Sequence, residues 1–270
     1  MGLKRSSHAR TCYYSMPELD WIIANGAVLL AAALQAATGV GLGLIVGPAL
    51  ILVMGSKSAI QVAIILNLGL SILLLPGETK EIHWPSLKIL VLGTVIGMPV
   101  GLLLISMLDL TGLKLFAAIT VSLCGVQLIH SRYKHNTTGT VREAGALTLP
   151  GASFASGIMA SSLAMPGPVA MWAMARKGVK AQQIRATLRA LFVVSYALAL
   201  LAHALRGMDW NLVIDASIDL GIALVAGTAI GFFIKRRLSE RLLNNLLLGL
   251  LLIMGLTLFA NSLMEILGDA

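Results

Sequence analysis

Long blocks without a charged side chain divide this sequence, and they constrain its fold more than any single motif. Eight stretches lack Asp, Glu, Lys and Arg: Trp21–Ser56, Ser58–Gly77, Ile89–Leu108, Leu115–Ser131, Ala144–Ala175, Ala190–Leu205, Leu220–Ile234 and Leu242–Met264. A helix needs about 20 mainly apolar residues to cross the roughly 30 Å hydrocarbon core of a bilayer. The blocks therefore predict about eight transmembrane helices, at 22–44, 58–76, 85–108, 110–130, 146–165, 184–206, 211–234 and 242–266.

The composition excludes a soluble protein. Hydrophobic residues make up 57% of the chain and charged residues 12%, about half the share of charged residues in a typical soluble domain. We therefore predict an all-α polytopic membrane protein whose first partner is the lipid bilayer. The formal charge of +8 is spread over short segments between the blocks, which is typical of charges that flank membrane spans and argues against a nucleic-acid partner. The two cysteines have no metal-binding spacing, so no metal or cofactor is predicted.

Two of the blocks are too long for one helix and too short for two full spans with a loop. Trp21–Ser56 and Ala144–Ala175 both carry Gly and Pro in their second part. We expect the first helix of each half to be broken and followed by a short half-helix or re-entrant segment, which in the first half would begin after Gly47 and Pro48. Broken backbone at membrane depth is tolerated only where it lines a cavity or is buried in protein. The breaks are therefore the first place to look for a site.

The chain also looks internally repeated. Glycines at 97 and 101 match glycines at 227 and 231 at a spacing of 130, and Pro48 matches Pro166 at a spacing of 118. The predicted organisation is a polar N-terminal segment (1–20), a first transmembrane repeat (21–131), a polar linker (132–145) and a second repeat (146–270). Each repeat would hold four helices, and the two repeats would then share one orientation in the membrane, unless re-entrant hairpins change the parity. Repeats with interrupted spans at matching positions are typical of transporters with a site near the membrane midplane.

The glycine-rich string Ala37–Leu50 resembles the first-span signature of the TauE/SafE family of sulfite and organosulfonate exporters. The string Ala155–Pro166 is similar to the second signature of that family, although Ala160, Ser161 and Ser162 replace its later glycines. The Ala186–Thr187 pair resembles a further feature of the sixth span. This resemblance implies a bacterial-type inner-membrane permease for small anions.

Candidate substrate-binding residues lie at both breaks. In the first break, glycines expose backbone N–H groups, and the N-terminus of a half-helix carries a partial positive charge that suits an anion. In the second break, serine hydroxyls are potential donors to oxyanion oxygens. The candidates are Thr38, Gly39, Gly41, Gly43 and Pro48 in the first break and Ser156, Gly157, Ser161, Ser162 and Pro166 in the second. The alternatives are close helix packing for the glycines and hydrogen bonds within the protein for the hydroxyls.

Three further candidates lie outside the breaks. Asn67 is an amide in the middle of an apolar block, so it must face protein or a cavity. Arg185 carries a planar guanidinium group suited to sulfonate or carboxylate, and Thr187 lies beside it. The alternative for Arg185 is a cytoplasmic cluster of charges.

We therefore predict a non-enzymatic permease or exporter for small anions such as sulfite, organosulfonates, related oxyanions or carboxylates, with its site between the two repeats. A proton or another coupling ion is a possible second partner, with Asp215 and Asp219 as candidates for a relay. The alternatives are a passive anion channel and an intramembrane serine hydrolase that pairs Ser156 with His203.

The expected location is the cell inner membrane. Basic residues in the 5–6 and 7–8 connections place both termini outside the cytoplasm, whereas Arg132, Lys134 and Arg142 in the linker argue for the opposite orientation. Met16 is a second candidate for the native start.

Overall fold

The computed structural model describes residues 18–39, 41–135, 145, 147–235 and 237–268. It contains ten α-helices and one 3₁₀ helix in this part of the chain. The α-helices are α1 Glu18–Thr38, α2 Leu42–Met54, α3 Ser58–Leu74, α4 Trp84–Met107, α5 Leu110–His135, α6 Thr148–Leu163, α7 Gly167–Arg176, α8 Ala181–Leu205, α9 Trp210–Lys235 and α10 Glu240–Gly268, and the 3₁₀ helix is Pro76–Glu81. The prediction of an all-α fold is confirmed, since the described residues include no strand. Residues 1–17 of the predicted N-terminal segment and most of the predicted linker lie outside the described residues.

Six of these helices are long and apolar enough to cross a membrane. They are Glu18–Thr38, Trp84–Met107, Leu110–Gln127 within α5, Ala181–Leu205, Trp210–Lys235 and Asn245–Leu267 within α10. The apolar helices α2 and α3 are shorter, and α6 and α7 have 16 and 10 residues. The chain is thus a multi-pass membrane protein, while the count of eight spans stays a prediction.

Both overlong blocks are interrupted, as predicted, but the first break lies earlier than expected. α1 ends at Thr38 and α2 begins at Leu42, so the prediction that the half-helix begins after Gly47 and Pro48 is wrong. Gly39 has a φ of 90°, a left-handed conformation that glycine adopts without a steric penalty. Pro48 lies inside α2 and removes one helical hydrogen bond, yet α2 persists because it is buried continuously from Leu42 to Ile51.

Contacts between helix ends define two faces of the molecule. On the first, which we call the linker face, His83 N donates to Thr187 Oγ1 (2.9 Å) between the starts of α4 and α8. On the second, which we call the termini face, Arg206 donates to Leu102 O (2.6 Å) between the ends of the same two helices. α4 and α8 therefore run parallel, from the linker face to the termini face.

The broken segments are hairpins that reverse direction. α1 ends on the linker face, where Gly39 packs on Arg185 near the start of α8. α2 then returns to the termini face, where Lys57 donates to the carbonyl of Leu108 that follows α4. Conversely, α6 runs parallel to α4, with Ser161 donating to Met98 O (3.0 Å), and α7 returns toward the linker face. The α1–α2 hairpin thus begins and ends at the termini face, and the α6–α7 hairpin begins and ends at the linker face.

The two most extensive helix contacts cross between the halves of the chain. α4 packs on α6, and α9 packs on α1. Both interfaces are built from glycines that lie directly against backbone carbonyls of the partner helix, which small residues permit. The contacts join Gly97 to Phe154, Gly101 to Ile158, Gly227 to Leu29 and Gly231 to Ala33.

The contacts of these glycines differ from the spacing predicted for the early parts of the halves. The glycines of the two interfaces are 130 residues apart, while their partners, Leu29 and Phe154 or Ala33 and Ile158, are 125 residues apart rather than 118. The repeat itself stays a prediction. The two prolines paired in the sequence have different positions, since Pro48 lies within α2 whereas Pro166 precedes α7.

Two further pairs complete the bundle: α3 packs on α8, and α5 packs on α10. α5 and α10 run antiparallel, since Lys114 near the start of α5 forms an ion pair with Glu265 near the end of α10. Asn261 of α10 accepts a second hydrogen bond from Lys114 (2.9 Å).

Candidate functional site

The two hairpins cross at their breaks. A Cβ atom on Gly43 of α2 would lie 2.8 Å from both Ala164 O and Tyr196 Oη, and one on Gly47 would lie 2.5 Å from Leu163 O. Side chains at these two positions would therefore overlap the backbone where α6 ends. Glycine is what allows the first half of α2 to pass this close to the second break.

The second break holds a strained residue. Ala164 has a φ of 56°, and this left-handed conformation costs a residue with a Cβ roughly 1–2 kcal/mol. Tyr196 of α8, which is 1% exposed, donates to Ala164 O (2.9 Å), and Ser156 donates to Pro166 O (2.7 Å). These bonds satisfy the carbonyls that the break leaves unpaired, so the turn between α6 and α7 is held in one conformation.

The first break carries a buried amide with an unused donor. Gln35 Oε1 accepts a hydrogen bond from Leu42 N (2.8 Å) and thereby caps α2. Its Nε2 has no partner within the described residues, although the side chain is only 2% exposed. An unsatisfied buried donor costs about 1–3 kcal/mol. This nitrogen is therefore a candidate contact for a ligand or a water molecule.

Asn67 lies behind the first break. Its Nδ2 donates to Ala63 O (2.8 Å), while its Oδ1 has no partner in the described part of the chain. That oxygen would be 3.4 Å from a Cβ on Gly43. Asn67 thus supports the crossing point from the side of α3.

A small cavity lies between the breaks. Its volume is about 10 Å³, and its walls are Gln35, Gly41, Gly43, Leu44, Met165, Gly167, Pro168, Phe192 and Tyr196. This space is close to the smallest that holds one water molecule. The walls include the N-terminal residues of both α2 and α7, and each helix N-terminus contributes a partial positive charge. The helix ends therefore make the electrostatic potential of the cavity positive without any charged side chain in its wall.

A larger cavity, which we call the vestibule, adjoins the small one. It has a volume of about 350 Å³ and shares Leu44 and Pro168 with the small cavity. The other lining residues are Thr38, Cys124, Gln127, Met171, Trp172, Ala175, Ala181, Ile184, Arg185, Leu188, Leu247 and Leu251. Ala181 and Arg185 belong to the first turns of α8, so the vestibule lies on the side of the linker face.

Arg185 and Arg189, one helical turn apart, have different environments. Arg189 forms an ion pair with Glu78 (2.7 Å) in the 3₁₀ helix, and it donates to Leu74 O (3.3 Å). Its charge is therefore neutralised where α3 meets α8. Arg185 lines the vestibule and packs on Gly39.

Some of the predicted site residues come together around these two cavities. Gly41 and Gly43 line the small cavity, and Thr38 and Arg185 line the vestibule. Gly39 lies between them, where a Cβ would be 3.1 Å from the Arg185 side chain.

The other predicted residues line neither cavity, and several of their hydroxyls donate to backbone carbonyls. Ser162 donates to Ile158 O (2.6 Å), and Thr187 donates to Gln183 O (2.6 Å). Ser156, Ser161 and Pro166 lie in or beside the second break. Gly157 packs against the backbone of Thr94, and Pro48 lies inside α2.

The pair proposed for a serine hydrolase does not meet. His203 Nε2 lies 2.9 Å from Ser161 O, and the Ser156 hydroxyl donates to Pro166 O. Each group is engaged with backbone, and the two form no hydrogen bond with each other.

Sequence reasoning missed Tyr196, Gly167 and Trp172. Tyr196 was detectable as the only phenol within its charge-free block, and Gly167 as the residue between two prolines. Trp172 carries no such signal, because a tryptophan near the end of a hydrophobic block is typical of a membrane interface.

One family of known proteins matches this chain. The family, described as sulfite exporter TauE/SafE, matches residues 24–258, which include both breaks and all residues that line the two cavities. Neither a curated protein nor a solved structure matches the chain significantly.

Proposed function

Because the chain belongs to the sulfite exporter TauE/SafE family, we propose that it carries a small anion, such as sulfite or an organosulfonate, through a site where its two hairpins cross. One observation carries this proposal. The N-termini of α2 and α7 line the same buried cavity, beside the unused donor of Gln35. Backbone N–H groups and helix dipoles at such ends stabilise anions.

The small cavity is too narrow for a sulfite ion in this conformation, since it holds about one water molecule. The anion therefore binds at the junction of the small cavity and the vestibule, where Leu44 and Pro168 line both. Arg185 attracts it toward the vestibule, and the helix N-termini receive it at the inner end. Thr38, Gly39, Gly41 and Gly43 provide the polar backbone and hydroxyl groups along this path.

The packing supports two repeats of inverted topology, α1–α5 and α6–α10. Each repeat has a hairpin followed by three helices, and the hairpins enter from opposite faces. The contacts of α4 with α6 and of α9 with α1 occur at corresponding positions. Inverted repeats that meet at broken helices are a common plan of secondary transporters.

The two hairpins differ in their packing against α5 and α10, and this difference supports alternating access. α2 packs against α5 and α10, whereas α7 has no comparable packing with those helices in the described residues. The vestibule occupies the space next to α7. In the opposite state, α7 closes on the α5–α10 pair and α2 moves away from it, which opens an equivalent space toward the termini face. A passive channel fits less well, because the path beyond the vestibule narrows to the size of one water molecule.

We place the linker face in the cytoplasm. Arg176, Lys177, Lys180, Lys235 and Arg237 lie at helix ends of this face, and cytoplasmic segments carry an excess of Lys and Arg. α5 also ends on the linker face, so Arg132 and Lys134 in its last turns agree with this orientation instead of opposing it. Both termini of the described chain are then outside the cytoplasm.

Thiol labelling checks this orientation. In a background without Cys12 and Cys124, we expect Ser106→Cys at the end of α4 to react with an impermeant maleimide in intact cells. Ser239→Cys, between α9 and α10, should react only after the cells are permeabilised. Both serines are exposed, so the pair is matched, and the reverse pattern would invert the proposed topology.

Reconstitution in liposomes tests the function. The purified protein should take up labelled sulfite with saturable kinetics, and external unlabelled sulfite should accelerate exchange across the membrane. A rate that rises linearly with concentration and shows no exchange would favour a channel. Absence of flux for sulfite, sulfonates and carboxylates would overturn the proposal.

A further inference from the structure

Two loops at opposite faces of the molecule carry a lysine in the same place. Each loop joins the second helix of a hairpin to the next helix, and it contains a left-handed glycine, Gly55 (φ 53°) in one and Gly178 (φ 74°) in the other. A lysine comes two residues later and directly precedes a helix, Lys57 before α3 and Lys180 before α8. The glycines and the lysines are both 123 residues apart, so the two lysines have equivalent positions.

The two lysines differ in their contacts. Lys57 donates to Ile105 O (2.8 Å) and to Leu108 O at the end of α4. Its ammonium group therefore satisfies carbonyls that the end of α4 leaves without a helical partner, and it lies where the helix dipole is negative. Lys180 is exposed and has no hydrogen bond or ion pair among the residues that the structure describes.

The turns that follow α4 and α9 have the same two hydrogen bonds at a spacing of 130 residues. In each turn, one backbone N–H closes the end of the helix, and the side chain of the next residue caps the helix that follows. The bonds are Leu108 N to Leu104 O and Gly112 N to Asp109 Oδ1 after α4, and Leu238 N to Ile234 O and Leu242 N to Ser239 Oγ after α9. At this spacing, the carbonyls of Lys235 and Leu238 are the counterparts of the two that accept from Lys57.

We propose that Lys57 and Lys180 are a pair of latches, which select the face toward which the site opens. Lys57, bound to the end of α4, stabilises the present state, in which the vestibule lies on the side of the linker face. In the opposite state the conformations of the two hairpins are exchanged, so Lys57 releases α4 and Lys180 donates to the carbonyls of Lys235 and Leu238. This inference rests on the proposed function and names residues that regulate access to its site.

The charges of the two acceptor turns differ, and this difference favours the present state. Asp109 is the residue after Leu108, so the turn that Lys57 approaches carries a negative charge. The second turn contains Lys235 and Arg237, whose positive charges oppose the approach of Lys180. The latch of Lys57 is therefore the stronger one, and the protein without substrate populates mainly the state described above.

Labelling of a buried cysteine in α2 measures the population of the opposite state. Ala49 is 4% exposed, and it lies 123 residues before Trp172, which lines the vestibule. In a chain without Cys12 and Cys124, Ala49→Cys should therefore react with a water-soluble maleimide when the space next to α2 opens. The full-length protein is labelled in lipid nanodiscs, where the reagent reaches both faces and no flux is needed. The labelling rate is then proportional to the fraction of molecules in the opposite state.

Matched variants of the two lysines should shift this rate in opposite directions. Lys57→Met removes the first latch, and we expect the rate to rise about tenfold, the effect of losing a hydrogen bond from a charged group. Lys57→Arg keeps the charge and a donor, so its rate should stay within about twofold of the parent protein. Lys180→Met removes the second latch and should lower the rate about threefold, a smaller effect because like charges weaken that latch.

An unchanged rate in Lys57→Met overturns the inference. A rise in both methionine variants also overturns it, because general loosening of the packing would expose Ala49→Cys in either protein. If Lys57→Met aggregates in size-exclusion chromatography, Lys180→Met decides. Lys180 is exposed, so its replacement removes no contact of the present state, and an unchanged rate then overturns the inference.

The results separate this inference from the proposed function. Sulfite flux of the unaltered protein together with unchanged labelling in the variants overturns the latches and leaves the transporter standing. Opposite shifts in labelling without flux of any anion support the two states that the lysines select, and they overturn the proposed function.

Discussion

Replacing Gly43 by alanine should reduce anion flux at least tenfold. The added Cβ would lie 2.8 Å from Ala164 O and from Tyr196 Oη, which is closer than van der Waals contact allows. Overpacking a tight interior destabilises the folded state by about 1–3 kcal/mol, and here the overlap lies at the crossing point of the two hairpins. Uptake of labelled sulfite into liposomes, at equal amounts of protein, measures the effect.

A matched control is available on the next helix. Gly69 in α3 has no atom within 4 Å of its ideal Cβ position, so Gly69→Ala should keep flux within about twofold. Adding Tyr196→Phe to Gly43→Ala should not restore flux, because Ala164 O is backbone and still opposes the Cβ. Normal flux in Gly43→Ala would show that the crossing point is not on the transport path.

Leucine at Gly97 or Gly227 should abolish folding, and the two variants should behave alike. Their ideal Cβ positions collide with the backbone at Phe154 and at Leu29, respectively. Neither backbone is able to move aside without separating α4 from α6 or α9 from α1. We expect most of each variant to be aggregated, as measured by size-exclusion chromatography in mild detergent.

Two glycines that face open space serve as controls. Gly221 lies on α9 together with Gly227, and Gly249 lies on α10; neither has an atom within 4 Å of its ideal Cβ. Leucine at either position should leave the yield of folded protein unchanged, and it removes a glycine from a helix interior, which by itself is favourable by about 0.5–1 kcal/mol. A folded, monodisperse Gly97→Leu protein would contradict the close packing of α4 on α6. A loss confined to one of the two variants would contradict the equivalence of the two interfaces.

Much of the candidate site followed from the sequence because its signals are local. Charge-free blocks report burial in lipid directly, so the helical membrane fold was predictable from composition and block length. The two overlong blocks were recognisable because their length fits neither one span nor two. Gly39, Gly41 and Gly43 stood out because clustered glycines interrupt a hydrophobic block.

The position of the first break was predicted wrongly because it depends on distant residues. The break was expected after Pro48, since proline is the strongest helix breaker, but burial from Leu42 to Ile51 keeps α2 helical through it. Substrate contact by the serines of the second break stays a prediction, and in this structure the hydroxyls of Ser156 and Ser161 donate to backbone carbonyls. A hydroxyl in a hydrophobic span indicates that a hydrogen-bond partner is present, but it does not indicate which group that partner is.

By itself the sequence determined that this chain is a helical membrane protein with two interrupted segments, because hydrophobicity, helix length and backbone freedom are properties of neighbouring residues. Only the tertiary structure decided that each interruption is a hairpin that reverses direction, and that α4 and α9 pack on the hairpin of the other half. The physical reason is that a break removes local hydrogen bonds without fixing the direction in which the chain continues. That direction is set by the glycine contacts at Gly97 and Gly227, which join residues far apart in the chain.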